Sequence, residues 1–199
     1  MKLLHQKTIK GLFALALFLT NMVSWGQISL TSASPNYTQN FDAYLGTEAS
    51  LPNGWAKVGS STFRGKGAGS ATGGYWAFGT GTDFSAGVQT SGSASNIGYT
   101  VTFTNNTGSP ITALNISYNS EGWLSGGGNS TVWDAVTTSG LPTAAQTAIA
   151  NAFLSGSYAA GQTSKSVTVS GLNIANGSSF SISWSKANGS GADNSVSID

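Results

Sequence analysis

From Tyr99 to Thr104, one large apolar residue alternates with one threonine: Tyr99, Val101 and Phe103 against Thr100, Thr102 and Thr104. Phe180, Ile182 and Trp184 alternate in the same way with Ser181, Ser183 and Ser185. A period of two sends successive side chains to opposite faces of an extended chain, so each segment predicts a strand with one face in a core. Such a strand has to bury that face against a second layer. After the first segment, residues 105–110 (NNTGSP) supply Asn and Gly, which tolerate positive φ, and residues 111–118 predict the returning strand. Val167 and Val169 mark another strand, and residues 171–179 (GLNIANGSS) loop back into Phe180. Shorter strand candidates are residues 37–41, 55–58, 75–78, 131–136 and 196–198. Many short strands between Gly, Ser and Asn turns describe an all-β chain, read here as a jelly-roll-like antiparallel β-sandwich. One segment departs from this pattern. Residues 142–154 (PTAAQTAIANAFL) place Ala145, Ile149, Ala152 and Phe153 on one helical face, which predicts one short helix packed on the sandwich.

The first 26 residues read as an address label. Lys2, Lys7 and Lys10 precede an apolar run over residues 11–23, and the small residues Ser24 and Gly26 flank Trp25. That order is the order of a secretory signal, with cleavage after Gly26 leaving Gln27 first. The run falls short of the roughly 20 residues a spanning helix needs, and Thr20 and Asn21 interrupt it. The expected organisation is a signal peptide, 1–26, followed by a single β-sandwich domain, 27–199. The expected location is outside the cell or on its surface, with no membrane span after cleavage.

Losing the leader changes the chemistry available. The chain has 8 Lys+Arg, 7 Asp+Glu, one histidine and no cysteine. Three of the lysines and the only histidine, His5, lie in the leader, so five basic residues then face seven acidic ones for a formal −2. Without histidine or cysteine, Ser–His and Cys–His relays, Cys/His zinc sites and disulfides are all excluded from residues 27–199. Charged residues make up 8% of the chain, against a usual quarter or so. Nucleic acid is not an expected ligand, because gripping phosphates relies on Lys and Arg. Six tryptophans and 11% aromatic residues argue for a packed core. The Gly-rich stretches, residues 65–74 and 125–130, lack P-loop spacing and read as loops.

From Tyr37 onward the chain resembles a secreted module common in Bacteroidetes and related bacteria, typically found at the front of larger exported proteins. The motifs that carry the resemblance are YTQNFD (37–42), LPNGW (51–55), FTNNTGSPITALNISYNSEGW (103–123) and WSKANGSGADNSVSID (184–199). The resemblance implies a jelly-roll-like sandwich fused to enzymes or sorting domains, of the type IX secretion kind, and supplies no activity of its own. The family usually ends in an acidic pair after its last strand. Here the sequence reaches one residue into that pair, at Asp199, which makes a truncated larger polypeptide the expectation. Two departures stand out: Lys186 where the family commonly has an acid, and Asp193–Asn194 where it commonly has two acids.

Seven carboxylates remain after cleavage: Asp42, Glu48, Asp83, Glu121, Asp134, Asp193 and Asp199. Glu121 beside Trp123 is the candidate ligand-binding pair, an acid next to an aromatic platform, with strand-end hydrogen bonding or pairing with Arg64 as the plainer alternatives. No second carboxylate at a suggestive spacing supports catalysis, so no catalytic residue is assigned. Asp42 and Asp199 are expected to meet if the first and last strands lie side by side. With Asp193 and Asn194 adding oxygens, they are candidate ligands for a structural calcium ion, which takes six to eight oxygens. The alternative for them is capping of exposed backbone amides. Trp55, Trp76, Trp123, Trp133 and Trp184 are candidates for stacking on sugar, though most are expected in the core. Trp184, in phase with Phe180 and Ile182, is expected there, Trp123 is the best platform candidate, and truncation of Trp123 is expected to leave the fold intact. The reading is a non-catalytic extracellular binding or adhesion module with a glycan or cell-surface polymer as partner. Its alternatives are an accessory domain of a secreted hydrolase or nuclease whose catalytic domain lies elsewhere, and a structural domain of a cell-surface assembly.

Overall fold

A computed structural model describes residues 26–67, 72–123, 132–154, 161–189 and 193–199. The leader expected over 1–26 lies outside them except for Gly26, as do residues 125–130 and Thr131. Eleven strands form two sheets with a single α-helix among the described residues. The strands are β1 (Ile28–Leu30), β2 (Trp55–Val58), β3 (Phe63–Gly67), β4 (Gly74–Thr80), β5 (Asp83–Gln89) and β6 (Ile97–Asn105). They continue with β7 (Ile111–Trp123), β8 (Ala135–Ser139), β9 (Gly161–Ile174), β10 (Ser179–Lys186) and β11 (Ser195–Ile198). The helix α1 spans Thr143–Leu154. It is too short to cross a membrane, and no helix among the described residues is long and apolar enough to do so.

One sheet runs β1-β6-β10-β8, with β2 sharing the edge of β6 that β1 also occupies. The other runs β3-β4-β5-β11-β7-β9. Alternation places each core residue as the sequence requires. Tyr99, Val101, Phe180, Ile182 and Trp184 of β6 and β10 face inward and are buried, while Thr100, Thr102, Ser181 and Ser183 are half-exposed. The sandwich is mixed and not antiparallel throughout, because β1 joins β6 and β3 joins β4 in parallel. Both are edge additions: residues 31–96 separate β1 from β6, and residues 68–73 separate β3 from β4.

The core is rich in rings. Trp55 and Trp184 stack at 5.9 Å, and Phe41 meets Trp55 edge to face at 4.9 Å. Two tyrosines tie the sheets together through their hydroxyls. Tyr99 of β6 donates to the Gly87 carbonyl of β5 at 3.0 Å, and Tyr75 of β4 donates to the Val58 carbonyl of β2 at 2.6 Å. A polar atom in an apolar interior has to find a partner, and here it finds one in the opposite layer. The helix buries Ala145, Ile149 and Phe153, spaced by four, against β8 and β9. Since β8 and β9 are edge strands of different sheets, α1 closes that flank of the sandwich.

Residues 37–41 are irregular in place of the expected strand. The segment works as a strap: Phe41 is buried, and the Tyr37 hydroxyl accepts from the Trp55 indole at 2.7 Å. The strand expected over 131–136 begins only at Ala135 and runs to Ser139. The first strand in the chain, β1, lies in a different sheet from the last, β11, so they are not neighbours.

Candidate functional site

The six-stranded sheet has an outer face whose members follow from register. In β4, Tyr75 and Ala77 face the core, which turns Trp76 and Phe78 outward. Trp76 pairs with Gly87, Gly87 with Ser197, and Ser197 with Glu121. Directly opposite residues share a face, so these four form a row across β4, β5, β11 and β7. Trp123, opposite Ser195, stands in the adjoining row.

Three rings form a stack over these rows. Trp76 and Phe78 lie 5.9 Å apart with 15° between planes, and Phe78 and Trp123 lie 5.7 Å apart with 28°. Phe78 is fully buried between the indoles, which are each half-buried. Gly87 makes room for it: a Cβ at that position would sit 2.0 Å from Phe78 Cδ2. Beside the stack is a hydrogen-bond cluster centred on Ser197. Its hydroxyl accepts from the Trp123 indole at 2.9 Å, lies 2.7 Å from the Ser85 hydroxyl and donates to Glu121 Oε2 at 3.1 Å. Gln162 of β9 donates to the other Glu121 oxygen at 3.2 Å. Both carboxylate oxygens of Glu121 are therefore held by neutral donors, and Arg64 instead donates to the Gly73 carbonyl at 3.0 Å.

The structure thus brings Glu121 and Trp123 together through Ser197. It also makes Trp123 more than a platform, since truncating it uncovers Phe78. The sequence offers Trp76 as one of five tryptophans for stacking on sugar, whereas Phe78, Ser197 and Gln162 escaped the sequence reading. In YWAF (75–78) both strand faces are apolar or aromatic, so alternation alone cannot say which one looks outward. Of the other tryptophans, Trp55, Trp133 and Trp184 are buried.

Asp42 and Asp199 also approach one another, though through the strap and not through paired strands. Phe41 N–H donates to Asp199 Oδ1 and Phe84 N–H donates to Asp42 Oδ1, both at 3.3 Å. Burial pushes the Asp199 carboxyl above its ordinary value. The Phe41 amide opposes this, and the nearby charges of Glu121, Asp83 and Asp42 add to it. Asp193 stands apart at the other end of β11. Thr90 donates to its carboxylate, Gln89 donates to its carbonyl at 3.0 Å, and the buried Lys186 ammonium lies within its electrostatic reach. Asp42, Asp193 and Asp199 do not converge, and among the described residues no three acidic, histidine or cysteine side chains are grouped to hold a metal ion.

A second feature is a cleft of about 570 Å³ between the sheets. The strap with the two residues before it forms one wall and residues 114–119 of β7 form the other, and Phe103 and Phe180 also line it. In comparisons with known proteins, no family model, no curated protein and no solved structure matches this chain.

Proposed function

We propose that the chain is a non-catalytic extracellular binding or adhesion module that holds neutral polysaccharide on the outer face of its six-stranded sheet. The observation that carries this reading is the placement of two half-buried indoles, Trp76 and Trp123, beside Glu121, Gln162 and Ser197 on one sheet face. An indole offers an apolar surface with a polar tip, and a few fixed polar groups beside it set orientation. Sugars present the complementary pair, C–H surfaces and hydroxyls. The scarcity of charge over the whole chain supports a neutral ligand.

A glycan array with residues 27–199 identifies the ligand class, and titrations with Trp76→Ala, Trp123→Ala and Trp123→Phe locate it. Each alanine variant is expected to weaken binding at least tenfold. Trp123→Phe, which keeps a ring against Phe78, is expected to retain the melting temperature and still bind more weakly. Array binding untouched by all three variants removes this face as the site. An array without any bound glycan removes the reading in favour of a structural domain of a surface assembly.

A further inference from the structure

Beyond the three rings, the outer face of the six-stranded sheet continues as a polar seam between β7 and β9. Glu121 lies opposite Gln162, Asn119 opposite Ser164, Ser117 opposite Ser166 and Asn115 opposite Thr168. Glu121 looks outward, and alternation turns Asn119, Ser117 and Asn115 to the same side. Directly opposite residues share a face, so their partners on β9 look outward with them. Apart from Glu121 and Asn119, which are half-buried, these side chains are exposed. Glu121 is the one charge among the eight, and Lys165, between Ser164 and Ser166, turns inward and is buried.

The two asparagines have a fixed orientation. The Ser164 hydroxyl donates to Asn119 Oδ1 and the Thr168 hydroxyl to Asn115 Oδ1, both at 2.8 Å. Each amide therefore has its oxygen engaged across the seam, while its Nδ2 keeps two donor hydrogens. Among the described residues nothing accepts from either Nδ2. Glu121 has the opposite character. Each of its oxygens accepts one hydrogen bond, from Ser197 or Gln162, and keeps a further lone pair. An acceptor thus stands beside the rings, and oriented neutral donors follow it along the strand pair.

We propose, resting on the reading that this face holds neutral polysaccharide, that the ligand is an unbranched chain bound along its length over the β7–β9 seam. It runs from the indoles past Glu121 and Gln162 to Asn115. C–H faces of the sugar meet Trp76 and Trp123, sugar hydroxyls donate to Glu121, and the Asn119 and Asn115 amides donate to sugar oxygens further on. The lack of charge past Glu121 matches an uncharged ligand, and the seam continues the ring site without a break. At about 3.4 Å per residue, the stretch from Trp123 to Asn115 spans about 27 Å, room for roughly five or six sugar rings.

Indole and side-chain amide spectra of isotope-labelled residues 27–199 test this with linear oligosaccharides of two, four and six rings. The backbones are β-1,4-glucan, β-1,3-glucan, β-1,4-mannan, β-1,4-xylan and α-1,4-glucan. For at least one backbone, two rings are expected to move the Trp76 or Trp123 indole signal alone. Six rings are expected to move the Asn119 and Asn115 amide signals as well, with affinity at least tenfold higher. Asn115→Asp keeps an oxygen for Thr168 and removes both donor hydrogens, and Asn115→Ala removes them without adding charge. Both variants are expected to weaken six-ring binding at least threefold, with the indole signals of the free protein unmoved. Affinity that stays level beyond two rings, or six-ring binding unchanged in both variants, overturns the proposal and leaves the ring site standing. Signals unmoved by every oligosaccharide also overturn it, and an empty glycan array then removes the reading beneath it.

Discussion

Asn105 shows how one side chain fixes a corner of the sandwich. It is fully buried, and its amide nitrogen donates to the carbonyls of Ser109 and Ile174 at 2.8 and 2.7 Å. Its oxygen accepts from the backbone and hydroxyl of Thr107 at 3.0 and 2.8 Å. All four hydrogen-bonding positions are filled, which pins the turn after β6 to the end of β9. Asn105→Ala leaves the Ile174 carbonyl buried without this donor, and a loss of about 2–3 kcal/mol is expected in denaturant unfolding. At Asp42 and Asp199 the carboxylates already accept from Phe84 and Phe41 amides. Capping of this kind needs no ion. The melting temperature is therefore expected to be the same in millimolar calcium and in chelator, and a calcium-dependent rise would restore the ion as a ligand of this pair.

Among the elements, the strap before β2 carries the clearest test. Tyr37→Phe keeps the edge-to-face contact with Phe103 but removes the acceptor for the Trp55 indole. A global cost of roughly 1–2 kcal/mol is expected, with amide exchange over residues 35–41 accelerating more than elsewhere. The strap is also where the sequence misled: Tyr37 and Phe41 looked like strand residues and prove to be pins in an irregular crossing. β6 and β10 were legible because large inward residues alternate with Ser and Thr outward. The helix was legible through Ala145, Ile149 and Phe153. β5 was not, because Ser85, Gly87 and Gln89 are as buried as Phe84, Ala86 and Val88, and contrast between faces is the whole signal. The same loss of contrast hid which way Trp76 and Phe78 turn, whereas Glu121 and Trp123 could be named because they flank a glycine beside a Gly-rich stretch of sequence. β3, with two glycines in five residues, lacks strand propensity of its own.

At the scale of the molecule, the stability of residues 27–199 has no disulfide behind it and no histidine to titrate. On the alkaline side its pH dependence falls to buried tyrosines and lysines. Burial pushes the hydroxyls of Tyr44, Tyr75 and Tyr99 above the ordinary 10.0, and that of Tyr118 up to about 12. Above pH 10 the unfolded chain releases phenolic protons that the folded chain keeps, so stability falls as pH rises. Burial lowers the ammonium groups of Lys165 and Lys186, for Lys186 against the pull of Asp134 and Asp193, and this acts in the opposite sense below 10.5. The melting temperature is expected to hold or rise gently up to about pH 10 and to drop beyond it, with the ring resonances of Tyr44, Tyr75, Tyr99 and Tyr118 reporting phenolate together with unfolding and not ahead of it. Phenolate formation at any of these four residues while the chain remains folded would contradict this.

The hydroxyls of Tyr75 and Tyr99 reach in opposite directions, each to a carbonyl of the other layer. Grease between two plates lets them glide; two crossed bolts do not. Displacing one layer by a single pleat would cost both bonds at once, so slipped isomers of the interior should be absent, and methyl spectra should display one sharp set of signals without any covalent cross-link to enforce it.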